Sequence, residues 1–233
     1  MQPISGFMLN LAVAALFLLG THFGIASTSL RPQLVALVGE SAYRTLYSML
    51  ALAALAWLVF AWAAAPVIPL WGAGMGLRHL VAALMPIAFL LVVCAVTAPN
   101  PTVIGQRPDP DAGAPATGII RVTRHPFMWG VGIWALLHLC ANGDQASLIF
   151  FGTLAVLAVG GTVLIDQRRM RENAPGWGVF LQATSNLPFA AILERRQKLV
   201  PSEIGLWRVA LALGLYVAIF WLHPVLFGAA PLG

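Results

Sequence analysis

Charge is what this sequence has least of. Asp, Glu, Lys and Arg together make up 9% of its 233 residues, and only 8 residues are acidic. A soluble domain carries about 25% charged residues, so this chain cannot clothe a water-facing surface. A soluble enzyme and a disordered chain are both excluded. Cysteine is also scarce. Cys94 and Cys140 are the only two, both in apolar runs and with no CxxC. A disulfide scaffold and a zinc site are excluded with them, and two inert, buried thiols are expected. The first 30 residues hold no Lys or Arg. A secretory leader needs a positive N-terminal region, so the opening apolar run reads as a retained span. The glycine-rich phosphate loop, GxSxG and HExxH are missing too. No carboxylate pair lies inside an apolar run, which argues against a proton-driven transporter core. There is no internal repeat and no low-complexity tract.

What is present is hydrophobic: 60% of residues, with a mean hydropathy of +0.85. This predicts an all-α membrane protein forming one domain over residues 1–233. A span needs about 20 apolar residues. Runs of that order occur at Phe7–Phe23, Leu46–Ala65, Leu80–Ala98, Phe127–Ala141, Leu148–Ile165 and Trp207–Leu222. Six transmembrane helices follow, the fourth being the shortest. Asn142-Gly143-Asp144 predicts a tight hairpin between the fourth and fifth.

The basic residues test that count. With six spans, Arg31, Arg44, Arg107, Arg121, Arg124, Arg168, Arg169, Arg171, Arg195, Arg196, Lys198 and Arg208 share one side, and Arg78 alone lies on the other. The positive-inside rule puts the first group in the cytoplasm and both termini in the periplasm. A pI near 10 then reflects loops facing anionic lipid, not nucleic acid. Pro99–Pro115 reads as an irregular excursion. Residues 31–45 and 166–202 mix charge with Leu34, Leu37, Val38, Trp177, Phe180, Phe189, Ile192 and Leu193, and read as interfacial helices in the cytoplasmic loops. The basic 166–202 loop is also the surface a membrane-protein partner would use.

Ionisable groups inside a bilayer are costly and point to function. His22 falls near the inner end of the first span, and His138 late in the fourth. His223 closes the last span. His79, at a boundary beside Arg78, reads as a structural histidine bonded to backbone. Neutral imidazole is a good haem ligand, and without CxxCH any haem would be non-covalent. His125, in Arg121-Val122-Thr123-Arg124-His125-Pro126, opens the fourth span. Arg121, Arg124 and His125 there could converge on an anionic group or anchor the helix to lipid phosphate.

Four stretches carry a family resemblance: GTHFGIASTSLRPQLVALVGESAYRTLYSMLALAAL (20–55), TGIIRVTRHPFMWGVGIWALLHLCANGD (117–144), TSNLPFAAILERRQKL (184–199) and LHPVLFGAAPL (222–232). Together they resemble the NnrU family, over nearly the whole chain and in the same order. The resemblance implies a multi-pass protein of the bacterial inner membrane, associated with denitrification and nitric oxide metabolism. That family is similar to the 15-cis-zeta-carotene isomerases, haem b membrane enzymes in which a change of axial ligation permits double-bond isomerisation. Their two haem histidines carry over to His22 and His138, giving those two as metal ligands. A cysteine of the isomerases, three residues before the second histidine, is Ala135 here. By depth alone, His22 with His125, or His138 with His223, matches better than His22 with His138. The implied function is haem-dependent redox or isomerase chemistry on a hydrophobic molecule, or nitric-oxide sensing.

TGIIRVTRHP also resembles the motif of isoprenylcysteine carboxyl and phospholipid methyltransferases, which use S-adenosylmethionine. Their tyrosine is Met128 here, and their paired glutamates fall where this chain has Ile165-Asp166-Gln167-Arg168-Arg169. A third expectation is a non-enzymatic factor that assembles or regulates a nitrogen-oxide reductase.

Overall fold

A computed structural model describes residues 4–102 and 116–233, and all described secondary structure is helical apart from one isolated bridge, Pro69 to Asp144. Helix α1 (Ile4–Gly20) runs into a π-helical segment, Thr21–Ala26. Short α2 (Leu30–Val38) turns at Gly39 (φ +84°) into α3 (Glu40–Ala64). Then come α4 (Met75–Thr97), a 3-10 turn at Gly118–Arg121, α5 (Pro126–Asn142) and α6 (Gln145–Arg171). The short helices α7 (Trp177–Ala183), α8 (Ala190–Leu193) and α9 (Pro201–Ile204) precede α10 (Leu206–Phe227).

Among the described residues, five helices are long and apolar enough to cross a membrane: Ser5–Ala26, Glu40–Ala64, Met75–Thr97, Gln145–Arg171 and Leu206–Phe227. The sixth expected span, α5, has 17 residues. That is about 26 Å of helix, a little under the hydrocarbon thickness of about 30 Å. It is nevertheless central, packed between α4 and α6. Gly130 makes this possible. A Cβ there would lie 2.7 Å from Val92 Cγ2 and 3.0 Å from the Ala88 carbonyl. Small residues let helix backbones approach where no hydrophobic driving force separates protein from lipid.

The predicted hairpin is present. Gly143 sits at φ +68°, and its carbonyl accepts from Leu70 N (2.8 Å) and Trp71 N (3.0 Å). Asp144 caps α6 by accepting from Ser147 N at 2.9 Å, which satisfies one of the free amides of the first turn.

The main core joins α1, α3, α5 and α6 through Leu11, Leu18, Leu58, Ala135, Phe150 and Phe151. A second core caps the basic end: Trp177 and Phe180 of α7 pack under Leu91, Ile119 and Ile120. The 166–202 segment thus forms helices, as expected, with two aromatics turned into protein. In residues 31–45 the helix stops at Val38 and restarts at Glu40 because Gly39 takes a conformation that disfavours side chains. Helix α10 leans on α4 through Tyr216, whose hydroxyl donates to the Ala82 carbonyl (2.8 Å), and leaves most of its surface exposed.

One expectation needs correcting. Cys94 is buried, but Cys140 is exposed, because α5 turns that position away from α4 and α6. Arg107 and most of the 99–115 excursion lie outside the described residues.

Candidate functional site

The Arg-His-Pro turn is built where the 3-10 turn ends and α5 begins. Pro126 occupies the first turn of α5, where a missing N–H costs nothing. The segment 184–189 folds over this turn. Arg124 N donates to Ser185 O (2.9 Å), Thr123 Oγ1 to Asn186 O (2.6 Å), and Phe189 N to Val122 O (2.8 Å). Two stretches some 60 residues apart are therefore one unit.

Its charges are satisfied by the chain itself. Arg124 Nε donates to Asp166 Oδ2 at 2.9 Å, and its Nη1 to the carbonyl of Thr184 at 3.1 Å. His125, fully buried, meets Asp166 Oδ1 through Nε2 at 2.8 Å. A carboxylate only accepts, so Nε2 carries the proton. His125 Nδ1 is buried and finds no partner among the described residues. Arg121 forks onto Glu203 (Nε–Oε2 2.7 Å, Nη2–Oε1 2.9 Å) and reaches Gln197 at 2.7 Å. That bond to Arg121, then one from Gly118 N, pulls the Glu203 carboxyl down to about 2, and the same contact raises Arg121. The two guanidiniums and the imidazole divide between two acids of the chain, Asp166 and Glu203. Local pattern could mark the basic residues. It could not reveal acids 42 and 82 positions away.

The other histidines fall at two levels. His22, in the π-helical segment, donates Nδ1–H to Leu18 O (2.9 Å) and has Tyr47 edge-on at 5.7 Å between centroids. It lines a cavity of about 300 Å³ with Phe127, Met128, Val131 and Arg168. His138 stands seven residues beyond Val131, about 10 Å further along α5. It donates Nδ1–H to Trp134 O (2.9 Å) and stacks on Phe151 at 5.0 Å. His223 donates Nδ1–H to Ala229 O (2.6 Å). The rings of His138 and His223 lie 6.4 Å apart and within 18° of parallel. The structure thus brings His138 to His223, and leaves His22 with the α5 entry on which His125 also stands. His79, exposed, bonds to Met75 O at 2.8 Å, as a structural boundary histidine should.

These features define a multi-pass helical membrane protein with polar groups gathered at both ends of its bundle. The family model described as NnrU protein matches residues 10–231, and the chain belongs to that family. It is similar to the chloroplastic 15-cis-zeta-carotene isomerases of Zea mays (37% identical over 83 residues, 36% of this chain and 23% of that protein) and Arabidopsis thaliana (32% over 119 residues, 49% and 32%). The chain therefore spans a third or less of the curated relatives it matches. No solved structure matches it.

Proposed function

We propose that this protein crosses the bacterial inner membrane six times, with α5 as the sixth span and both termini periplasmic, and that it holds haem b for redox or isomerase chemistry on a hydrophobic substrate. The observation that carries the haem is the His138–His223 pair. The two rings stand 6.4 Å apart between centroids and within 18° of parallel, near enough for both imidazoles to hold one metal. Each ring already donates Nδ1–H to a carbonyl. That fixes the tautomer and leaves Nε2 as the ligating atom, the usual supporting arrangement for a metal-bound histidine.

In place of His22 and His138, the pair the isomerase resemblance supplies, this reading takes the two histidines that stand together, since His22 lines the cavity at the α5 entry and His138 lies about 10 Å beyond Val131 of that cavity. His138 and His223 would hold the group through Nε2. Trp134, Phe151 and Phe227 surround them with apolar rings, which lower the local polarity and limit solvent access. When bound, haem supplies a Lewis-acidic, one-electron iron. The chain orients the two imidazoles through their Nδ1–H bonds to carbonyls. Similarity to the two plant 15-cis-zeta-carotene isomerases supports an isomerase acting on a polyene.

The test is an optical spectrum of the detergent-purified protein, oxidised and then dithionite-reduced, with single His→Ala variants at 22, 138 and 223. The expected result is a Soret band that is lost or strongly shifted at 138 and 223 and retained at 22. A protein with no Soret band after haem reconstitution, or one whose band survives both substitutions, overturns the proposal.

A methyltransferase-like site at Arg121, Arg124 and His125 has weaker support, since internal carboxylates already engage all three.

A further inference from the structure

The cavity beside His22 has one apolar length and one polar end, where Arg168 Nε finds no hydrogen-bond partner among the described residues. Its walls include Phe23, Phe127, Met128, Val131, Leu157 and Ala158. At the other end stand His22, Ser27 and Arg168. Among the described residues, three buried polar atoms at or beside that end have no hydrogen-bond partner: Arg168 Nε in the cavity wall, and Tyr43 Oη and Tyr47 Oη, which adjoin it behind His22 without lining it. They form a cluster. Tyr47 meets the His22 ring edge-on, Tyr43 stacks on Tyr47 at 5.8 Å, and the Arg168 charge reaches both phenols. The nearest carboxylate oxygen to Arg168 Nε is Glu172 Oε1 at 3.8 Å, beyond hydrogen-bond reach.

Charge balance agrees. The ion pairs around the mouth link Arg31, Arg44 and Arg168 to only two acids, Glu40 and Glu172. Arg171 adds a further guanidinium, bonded to the Ser27 carbonyl at 2.7 Å. Three donors without acceptors, in a field of excess positive charge, call for anionic oxygen. A buried donor left unpaired costs more than one that was never buried, so empty space explains the cluster poorly. The π-helical turn that carries His22 into the cavity wall is itself a geometry frequent at functional sites.

We infer that this cavity binds an anionic amphiphile, with its carboxylate or phosphate head on Arg168, Tyr47 and Tyr43 and its apolar chain between the π-helical segment, α5 and α6. At about 300 Å³ the cavity is at the lower end of the range for small-molecule sites, enough for part of a lipid chain. This inference does not rest on the haem reading, whose ligands lie at the opposite end of α5.

The full-length protein, in a neutral maltoside detergent, is titrated with cis-parinaric acid, a fluorescent C18 fatty acid, with and without bound haem. Saturable binding is expected. Oleate should displace the probe about tenfold better than oleyl alcohol, since a charged hydrogen bond contributes about that factor. Inorganic phosphate should not displace it. Arg168→Gln should weaken binding about tenfold. Tyr47→Phe, which keeps the ring and removes only the hydroxyl, should weaken it less. Ala158→Leu, which fills the cavity from a buried position, should abolish it. Equal displacement by alcohol and acid, or no effect of either Arg168→Gln or Tyr47→Phe, overturns the inference. Displacement by phosphate alone would assign the cluster to a free anion. A Soret band displaced by the probe would assign the cavity to haem. Either outcome would sink the amphiphile while leaving the His138–His223 test to stand separately.

Discussion

At the α5 entry, the Arg-His-Pro turn is tied to the rest of the chain by every charge it has, whereas at the far end of the same helix His138 and His223 each keep a ring nitrogen uncommitted. The difference follows from what each end can draw on. The basic end has Asp166 and Glu203 delivered by α6 and α9, so cations are neutralised internally and become structural. At the other end, no acid among the described residues pairs with the histidines. Neutral imidazole tolerates that, and its free nitrogen remains available to a ligand. A cation that carries its own anion holds the fold together. A lone pair left free inside apolar walls can do chemistry.

Removing the shared acid should break this contrast most sharply. Asp166→Ala strands the Arg124 guanidinium and the fully buried His125 together. Breaking a buried pair typically costs about 3–5 kcal/mol. The midpoint of unfolding in mixed detergent should fall strongly, while His138→Ala or His223→Ala should move it far less. Asp166→Asn, which can still accept from His125 Nε2, should recover part of the loss. If Asp166→Ala is as stable as the parent, the turn is not the structural anchor that its hydrogen bonds suggest.

Next in size is the hairpin at the histidine end. At Gly143 the backbone is left-handed, and a Cβ would crowd the Trp71 carbonyl and its indole. Gly143→Ala should cost about 1–3 kcal/mol and loosen the α5–α6 turn that sets where His138 lies. The same variant should broaden or shift any Soret band, whereas substitutions at the basic end should leave it unchanged. An unaffected unfolding midpoint would show that the turn can relax around a methyl group.

Sequence made these two regions unequally legible. The apolar runs placed the helices because lipid leaves few alternatives to a hydrogen-bonded span. Asn142-Gly143-Asp144 gave the hairpin because its turn chemistry is local. The Arg-His-Pro entry was visible for the same reason. Its partners were not, since Asp166 and Glu203 meet it only after α5, α6 and three short helices have folded back. In sequence, Tyr43 and Arg168 fall in the interfacial stretches 31–45 and 166–202, and Tyr47 at the start of the second apolar run. What marks them is the absence of partners, and that property exists only in three dimensions. His138 and His223, 85 positions apart, could be paired in sequence only by their depth in the bundle, since nothing local in the chain links them. Cys140 was misjudged because a run of 15 apolar residues does not say which face of α5 is covered.

The smallest expected effect sharpens the comparison through pH. Glu203 is held well below the ordinary carboxylate value, to about 2, first by Arg121 and then by Gly118 N. Its folded value lies below its unfolded one, so the stability it contributes is fully present above about pH 4.5. That contribution is lost as pH falls toward 2. Arg121 stays charged throughout. The pair is partly exposed, with 30% of the Glu203 side chain accessible, so its contribution at neutral pH should be no more than about 1 kcal/mol. Glu203→Gln should therefore lower the unfolding midpoint slightly at pH 7 and make no difference near pH 2, where the parent carboxyl is itself protonating. Equal effects of Glu203→Gln at both pH values would mean that the side chain acts by shape, not charge, and that the basic end is held together by Asp166 alone.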